Sequence, residues 1–365
     1  MIINKLSLTD LSGFYIVYKG SVLNETPKNY GISHLMEHLM CKQFQNLYNE
    51  FDRYSIHWNA YTSGTEVVFH MKGLDEYLYK YRHELLNSLS NFNIPKADFE
   101  QELNVVLQEY KDTFQDQFTS SYYNLLRKLY KNYGPIGKQQ ALENITYDDI
   151  LEYWEKYLSK PTMVINVSKN SRFGGFDNFN LNYPNIYTPD KDDEIIYEKV
   201  IEFNKVCIAG YIEVEKDMAY IDFVLNMLGK SLESPFMKEI REKRGLTYSV
   251  HNYVAEVSDN QGLVTTSLIT TDENVAEVLE VYKMILSNPD KYLTEDRFNL
   301  IKDFYTVKRK MDKINAYAQH KRYITPDHWQ IEKILDGITF DKAKEIFNKY
   351  LTFDNWTWML DKTTF

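Results

Sequence analysis

The chain has 365 residues, 44% of them hydrophobic and 26% charged, with only 14 Gly and 9 Pro, which excludes collagenous, low-complexity and disordered classes. Forty-two Lys plus Arg against 52 Asp plus Glu leave a net charge of −10, and no basic run offers the cations that phosphate neutralisation needs. Nucleic acid is therefore not an expected partner.

The opening segment MIINKLSLTDLSGFYIVYKG lacks the basic-then-apolar order of a signal peptide, and no stretch reaches the ~18 apolar residues of a membrane span. Two cysteines, Cys41 and Cys207, are too few for a disulfide framework and suit a reducing compartment. The expected address is cytoplasmic, with no membrane partner.

Residues 14–18 form an apolar run of strand length, and residues 31–40 follow with helical periodicity. Residues 58–71 (WNAYTSGTEVVFHM) are rich in β-branched and aromatic side chains and predict strand. Residues 95–114 are strongly helical, with Pro95 suited to the first turn. Ile145-Thr146-Tyr147-Asp148 predicts a threonine-capped helix that runs to Lys156-Tyr157-Leu158 and is followed by an apolar strand at 163–167. Between Val167 and Glu194 the periodicity is lost among Asn, Gly, Pro and Asp, which is linker composition.

Beyond the linker the same punctuation returns. Strands are predicted at 205–214 and 246–254, and a helix between them is opened by Ser234-Pro235 and stopped by Gly245. Ile338-Thr339-Phe340-Asp341 echoes the capped helix at an offset of 193, with Lys349-Tyr350-Leu351 and a strand at 356–360 behind it. IPKADF at 94–99 resembles LTEDRF at 293–298 at an offset of 199. These echoes predict a tandem duplication: an α+β domain over 1–170, a linker over 171–194 and a homologous α+β domain over 195–365. Blocks of strands and helix pairs, without βαβ alternation, predict two largely antiparallel sheets, each covered on one face by helices.

The segment Gly31-Ile32-Ser33-His34-Leu35-Met36-Glu37-His38-Leu39-Met40 carries the chemistry. With Ser33 as the cap, His34, Glu37 and His38 fall at i, i+3 and i+4, so two imidazoles and a carboxylate share one helical face. Two histidines one turn apart chelate Zn²⁺ through ring nitrogens, and a carboxylate beside them is placed to take a proton from water. A catalytic zinc needs a third protein ligand. Glu102 and Glu109, seven apart on the 95–114 helix, are both candidates, and spacing alone does not choose between them.

H-x-x-E-H is the inverted zinc motif of the inverzincins. GISHLMEHLM followed by NAYTSGTEVVFH and ELNVVLQEY resembles the pitrilysin, or M16, family of metallopeptidases. The resemblance implies His34, His38 and Glu109 as zinc ligands, Glu37 as general base, and Glu102 as a carboxylate that orients the ligands. It also implies that the strand through Asn59 and Ala60 is a sheet edge to which the substrate backbone adds.

In the second half the helix before Gly245 carries no histidine and is aligned with the zinc helix through Met237 and Met36. Lys308 stands opposite Glu109 at the offset of 199, so the second half does not repeat the metal site. Arg241 and Tyr248 resemble the family's R-x6-Y pair, with Tyr248 expected to open the next strand. A tyrosine hydroxyl and an arginine at that place support the developing oxyanion.

What the resemblance implies is a zinc-dependent endopeptidase acting on peptides or unfolded segments inside a chamber of four such units. One chain supplies two units, which implies a homodimer; the rival is a heterodimer with an inactive partner. The alternatives in other classes are a non-catalytic peptide-binding or assembly subunit, and a small-molecule metallohydrolase.

Overall fold

The computed structural model describes residues 1–130, 134–170, 172–174, 201–258, 260–314 and 321–364. Of the expected linker, residue 171 and residues 175–194 lie outside the described residues. The fold is mixed α and β with two sheets, as expected, and the chain forms two compact units. Taken over the described residues, the first is built from 1–113, 125–195 and 311–321, and the second from 114–124, 196–310 and 322–365. Segment 114–124 thus joins the second unit, although it precedes the linker. Polar contacts tie it there: Gln117 Nε2 donates to the Lys205 carbonyl at 2.6 Å and Asn124 Nδ2 to an Asp361 carboxylate oxygen at 2.9 Å.

The first unit holds strands β1 (Ile2–Leu6), β2 (Leu11–Tyr18), β3 (His57–Thr62), β4 (Val67–Leu74) and β5 (Met163–Ser168) in the order β1-β5-β2-β4-β3. Only the β1–β5 pair is parallel. Central β2 is buried from Ser12 onward, Phe14 to Tyr18 being at most 1% exposed, which is why 14–18 is a continuous apolar run and not an alternation. Among the described residues β3 pairs only with β4, which makes it an edge strand of the sheet. The β-rich segment over 58–71 forms this β3–β4 hairpin. Its turn at 63–66 is closed by Ser63 N donating to the Glu66 carbonyl at 2.8 Å.

The second unit holds β6 (Ile201–Val214), β7 (His251–Ser258), β8 (Gln261–Thr270) and β9 (Thr357–Thr364) in the wholly antiparallel order β7-β8-β6-β9. Its core packs Met218–Gly229, Val275–Leu286 and Glu295–Ile314 helix residues such as Phe223, Tyr282 and Phe298 into one cluster with Ile208 and Leu268 of the sheet. β7 begins at His251, so Tyr248 lies in the loop before the strand and does not open it.

Two segments with the same sequence punctuation form alike. Thr146 caps the Tyr147–Tyr153 helix by accepting from Asp149 N, and Thr339 caps Phe340–Ile346 by accepting from Lys342 N. Each cap contributes about 1 kcal/mol. Each helix then widens into a π-turn, Trp154–Leu158 and Phe347–Leu351, before the sheet is re-entered. Element order corrects one alignment. β2 is followed by the Ile32–Lys42 and Tyr48–Arg53 helices, and β6 by Met218–Gly229 and Met237–Glu242. The helix at Met237 is therefore second in its series, and Met218–Gly229 is the counterpart of the histidine helix.

Candidate metal centre

The Ile32–Lys42 helix buries Ile32, Leu35, Met36, Leu39 and Met40, all 0% exposed, at the i, i+3, i+4, i+7, i+8 spacing of an amphipathic helix. That apolar stripe fixes the helix rotation. It leaves His34, Glu37 and His38 half-buried along one edge.

The helix is not capped by Ser33. Its N-cap is Gly31, whose φ of 98° is a left-handed conformation that favours glycine. The first amides are met by Glu25 from the preceding loop, which accepts from Gly31 N at 2.8 Å and Ser33 N at 2.9 Å, and also from the Ser33 hydroxyl. A carboxylate at a helix N-terminus is favoured by the exposed amides and the helix dipole. Burial nonetheless pushes the Glu25 carboxyl up to about 7, against the pull of its hydrogen bonds to Ser33 and Gly31.

The Lys96–Thr113 helix packs beside the histidine helix and buries Phe99, Val106 and Tyr110. Glu102 and Glu109 flank that buried row. Glu109 Oε2 lies 3.5 Å from His34 Nε2 and 3.6 Å from His38 Nε2. One donor atom from each of His34, His38 and Glu109 falls within 4.8 Å of the other two. Glu102 stands two turns back, its Oε2 at 3.2 Å from His38 Nδ1 and its Oε1 at 3.0 Å from Lys42 Nζ. Glu37 Oε2 accepts a hydrogen bond from the Thr62 hydroxyl of β3 at 2.6 Å.

The donor set fits zinc. Tetrahedral ligands at about 2.0–2.1 Å from a Zn²⁺ stand about 3.3 Å apart, close to the His–Glu109 separations in the first unit. His34 is held unprotonated, pushed down to about 3 by burial and by neighbouring His38, as a nitrogen donor must be. Burial raises the Glu37 carboxyl, and the Thr62 hydroxyl acts in the opposite direction.

Asn59 and Ala60 lie on the β3 edge, with Asn59 exposed and Ala60 8% exposed. In the second unit the Arg241 guanidinium sits 5.0 Å from the centre of the Tyr248 ring, and Tyr248 is 83% exposed. Gly245, at φ 63°, ends the preceding helix, with Leu246 N donating back to the Ile240 carbonyl at 3.1 Å. This reversal brings Tyr248 back over Arg241. Sequence reasoning missed Glu25, Lys42 and Thr62. Lys42 carried a usable signal, being one turn beyond His38 on the same helix.

Two family models match the chain: residues 12–135 match the one described as Insulinase (Peptidase family M16), and residues 182–305 the one described as Peptidase M16 inactive domain. The chain belongs to peptidase family M16. This M16 chain is 28% identical over 269 residues to the uncharacterized zinc protease YmxG of Bacillus subtilis, covering 66% of this chain and 64% of that protein. It is 24% identical over 358 residues to an uncharacterized zinc protease of Rickettsia felis, covering 89% and 85%. A crystal structure of a protease from Helicobacter pylori shares its fold at a TM-score of 0.81 and 16% identity, covering 98% of this chain and 96% of that one. No helix among the described residues is long and apolar enough to cross a membrane.

Proposed function

We propose that this M16 chain is a zinc-dependent endopeptidase in which His34, His38 and Glu109 hold the metal. The observation that carries the reading is the convergence of those three donors beside the Glu37 carboxylate, on two helices packed together in the first unit. A bound Zn²⁺ supplies a Lewis acid that acidifies water and polarises a scissile carbonyl. Glu37 takes the proton from the attacking water and delivers it to the leaving amine, a role that a half-buried carboxylate with a raised pKa suits. Edge strand β3, through Asn59 and Ala60, holds the substrate backbone in extended form by main-chain hydrogen bonds, which admits peptides of varied sequence.

Glu102 orients His38 through Nδ1 and is itself held by Lys42. Glu102→Gln is expected to weaken zinc affinity by about 10–100-fold, the usual cost of losing a partner behind a metal ligand. Competition with a chromogenic chelator measures it; unchanged affinity would remove Glu102 from this role.

Arg241 and Tyr248 act on the oxyanion, and we assign them to the site of the other chain in a homodimer that closes the chamber. The naming of a Schizosaccharomyces pombe relative, 27% identical over 151 residues, as a probable mitochondrial-processing peptidase subunit beta supports a multi-chain assembly. Glu37→Gln and Tyr248→Phe chains, each weakly active alone, are expected to regain about a quarter of wild-type activity when mixed, because half of the dimers then contain one intact composite site. No recovery, with subunit exchange confirmed by mass spectrometry, would overturn the shared site. A binding-only subunit would have no need of a base, and the match to an inactive-domain model covers only the half that carries Lys308 opposite Glu109.

A further inference from the structure

Glu37 has one hydrogen-bond donor among the described residues, the Thr62 hydroxyl at 2.6 Å. A carboxylate on a helix has several rotamers, and a general base must point one oxygen at the proton it removes. His38 and Glu109 act on Glu37 through their charges, and among the described residues Thr62 alone gives it a directed hydrogen bond. Thr62 binds Oε2 and leaves Oε1 available.

Thr62 is also the last residue of edge strand β3, paired with Val67 across the hairpin. Its i, i+2 relation to Ala60 puts both side chains on one face of the strand, the face against which the histidine helix packs. The strand is pinned there by the Ser63 turn and by a bond from the Ser21 hydroxyl to the Ser63 carbonyl at 2.5 Å. The hydroxyl therefore comes from a fixed backbone and not from a mobile loop.

We propose that Thr62 is the positioning residue of the base: its hydroxyl selects the Glu37 rotamer and ties that rotamer to the strand along which an extended peptide substrate lies. This rests on the peptidase reading and deepens it. Peptide added to β3 and the carboxylate that serves its scissile bond are thereby referenced to the same short stretch of backbone, Asn59 to Thr62, so the register of the substrate and the aim of the base are set together. The bond to Oε2 leaves the other oxygen of the base free.

The isosteric pair Thr62→Val and Thr62→Ser separates hydroxyl from methyl. Thr62→Val is expected to lower kcat by about 10–100-fold, the scale of a misaimed catalytic group, with KM, zinc content and thermal midpoint unchanged. Thr62→Ser is expected to stay within about threefold of wild type. In a Glu37→Gln background, Thr62→Val should leave both peptide affinity and residual turnover unaltered, since no base remains to be aimed. A Thr62→Val enzyme as fast as wild type, an equal loss in Thr62→Ser, or a loss of peptide affinity in the Glu37→Gln background would each overturn the assignment. Failure of the peptidase reading looks different: wild-type protein would then cleave no peptide, or Glu37→Gln would leave cleavage intact.

Discussion

Glu37→Gln is expected to lower kcat by about 10²–10⁴-fold, the contribution of a positioned acid–base group, while zinc stays bound. The amide has the shape of the carboxylate and its oxygen still accepts from the Thr62 hydroxyl, so the local structure is preserved. It does not accept a proton from water. His34, His38 and Glu109 are left in place, and metal content should match wild type. Folding is not expected to suffer. A thermal midpoint at neutral pH that does not fall, beside a collapse of kcat, is the expected pair of results.

His38→Ala is expected to release the metal altogether. The imidazole carries two roles: Nε2 stands 3.6 Å from Glu109, and Nδ1 stands 3.2 Å from Glu102. Removing it takes away a ligand and leaves Glu102 to Lys42 alone. Affinity should fall by more than the roughly 10–100-fold that loss of an outer partner costs, so that zinc no longer survives dialysis. Turnover should vanish with it. His34→Ala should behave alike, whereas a Tyr248→Phe chain should keep its zinc, because Tyr248 belongs to the second unit. Elemental analysis of the three dialysed proteins separates these cases. Zinc retained at wild-type level in both histidine variants would remove the two imidazoles from the ligand set.

Much of this site was legible in the sequence because helical periodicity is local information. The i, i+3, i+4 spacing of His34, Glu37 and His38, and the buried stripe from Ile32 to Met40, follow from one turn of geometry. The threonine caps at 146 and 339 are equally local, and both form. The seven-residue spacing of Glu102 and Glu109 put both on one helix face, but only packing against the histidine helix shows Glu109 near both imidazoles and Glu102 behind one.

What was not legible depends on contacts between distant segments. Ser33 had the chemistry of a cap, yet a carboxylate eight residues earlier reaches the same amides and draws Ser33 inward as a donor. Thr62 reaches Glu37 only because the hairpin turn at 63–66 folds β3 against the helix. Ser63-Gly64 is a turn signal between β-branched and aromatic flanks, but it does not say which helix the hairpin meets. Segment 114–124 illustrates the limit in the other direction, since sequence position put it with the first half and buried polar pairs put it with the second.

The most direct test measures zinc content and cleavage of a quenched peptide library on the same preparations of wild-type and Glu37→Gln protein, before and after chelation and zinc return. The account predicts about one zinc per chain in both proteins, cleavage by wild type alone, its loss on chelation and its recovery with zinc. Cleavage that survives Glu37→Gln, or that persists in the chelated protein, would contradict it.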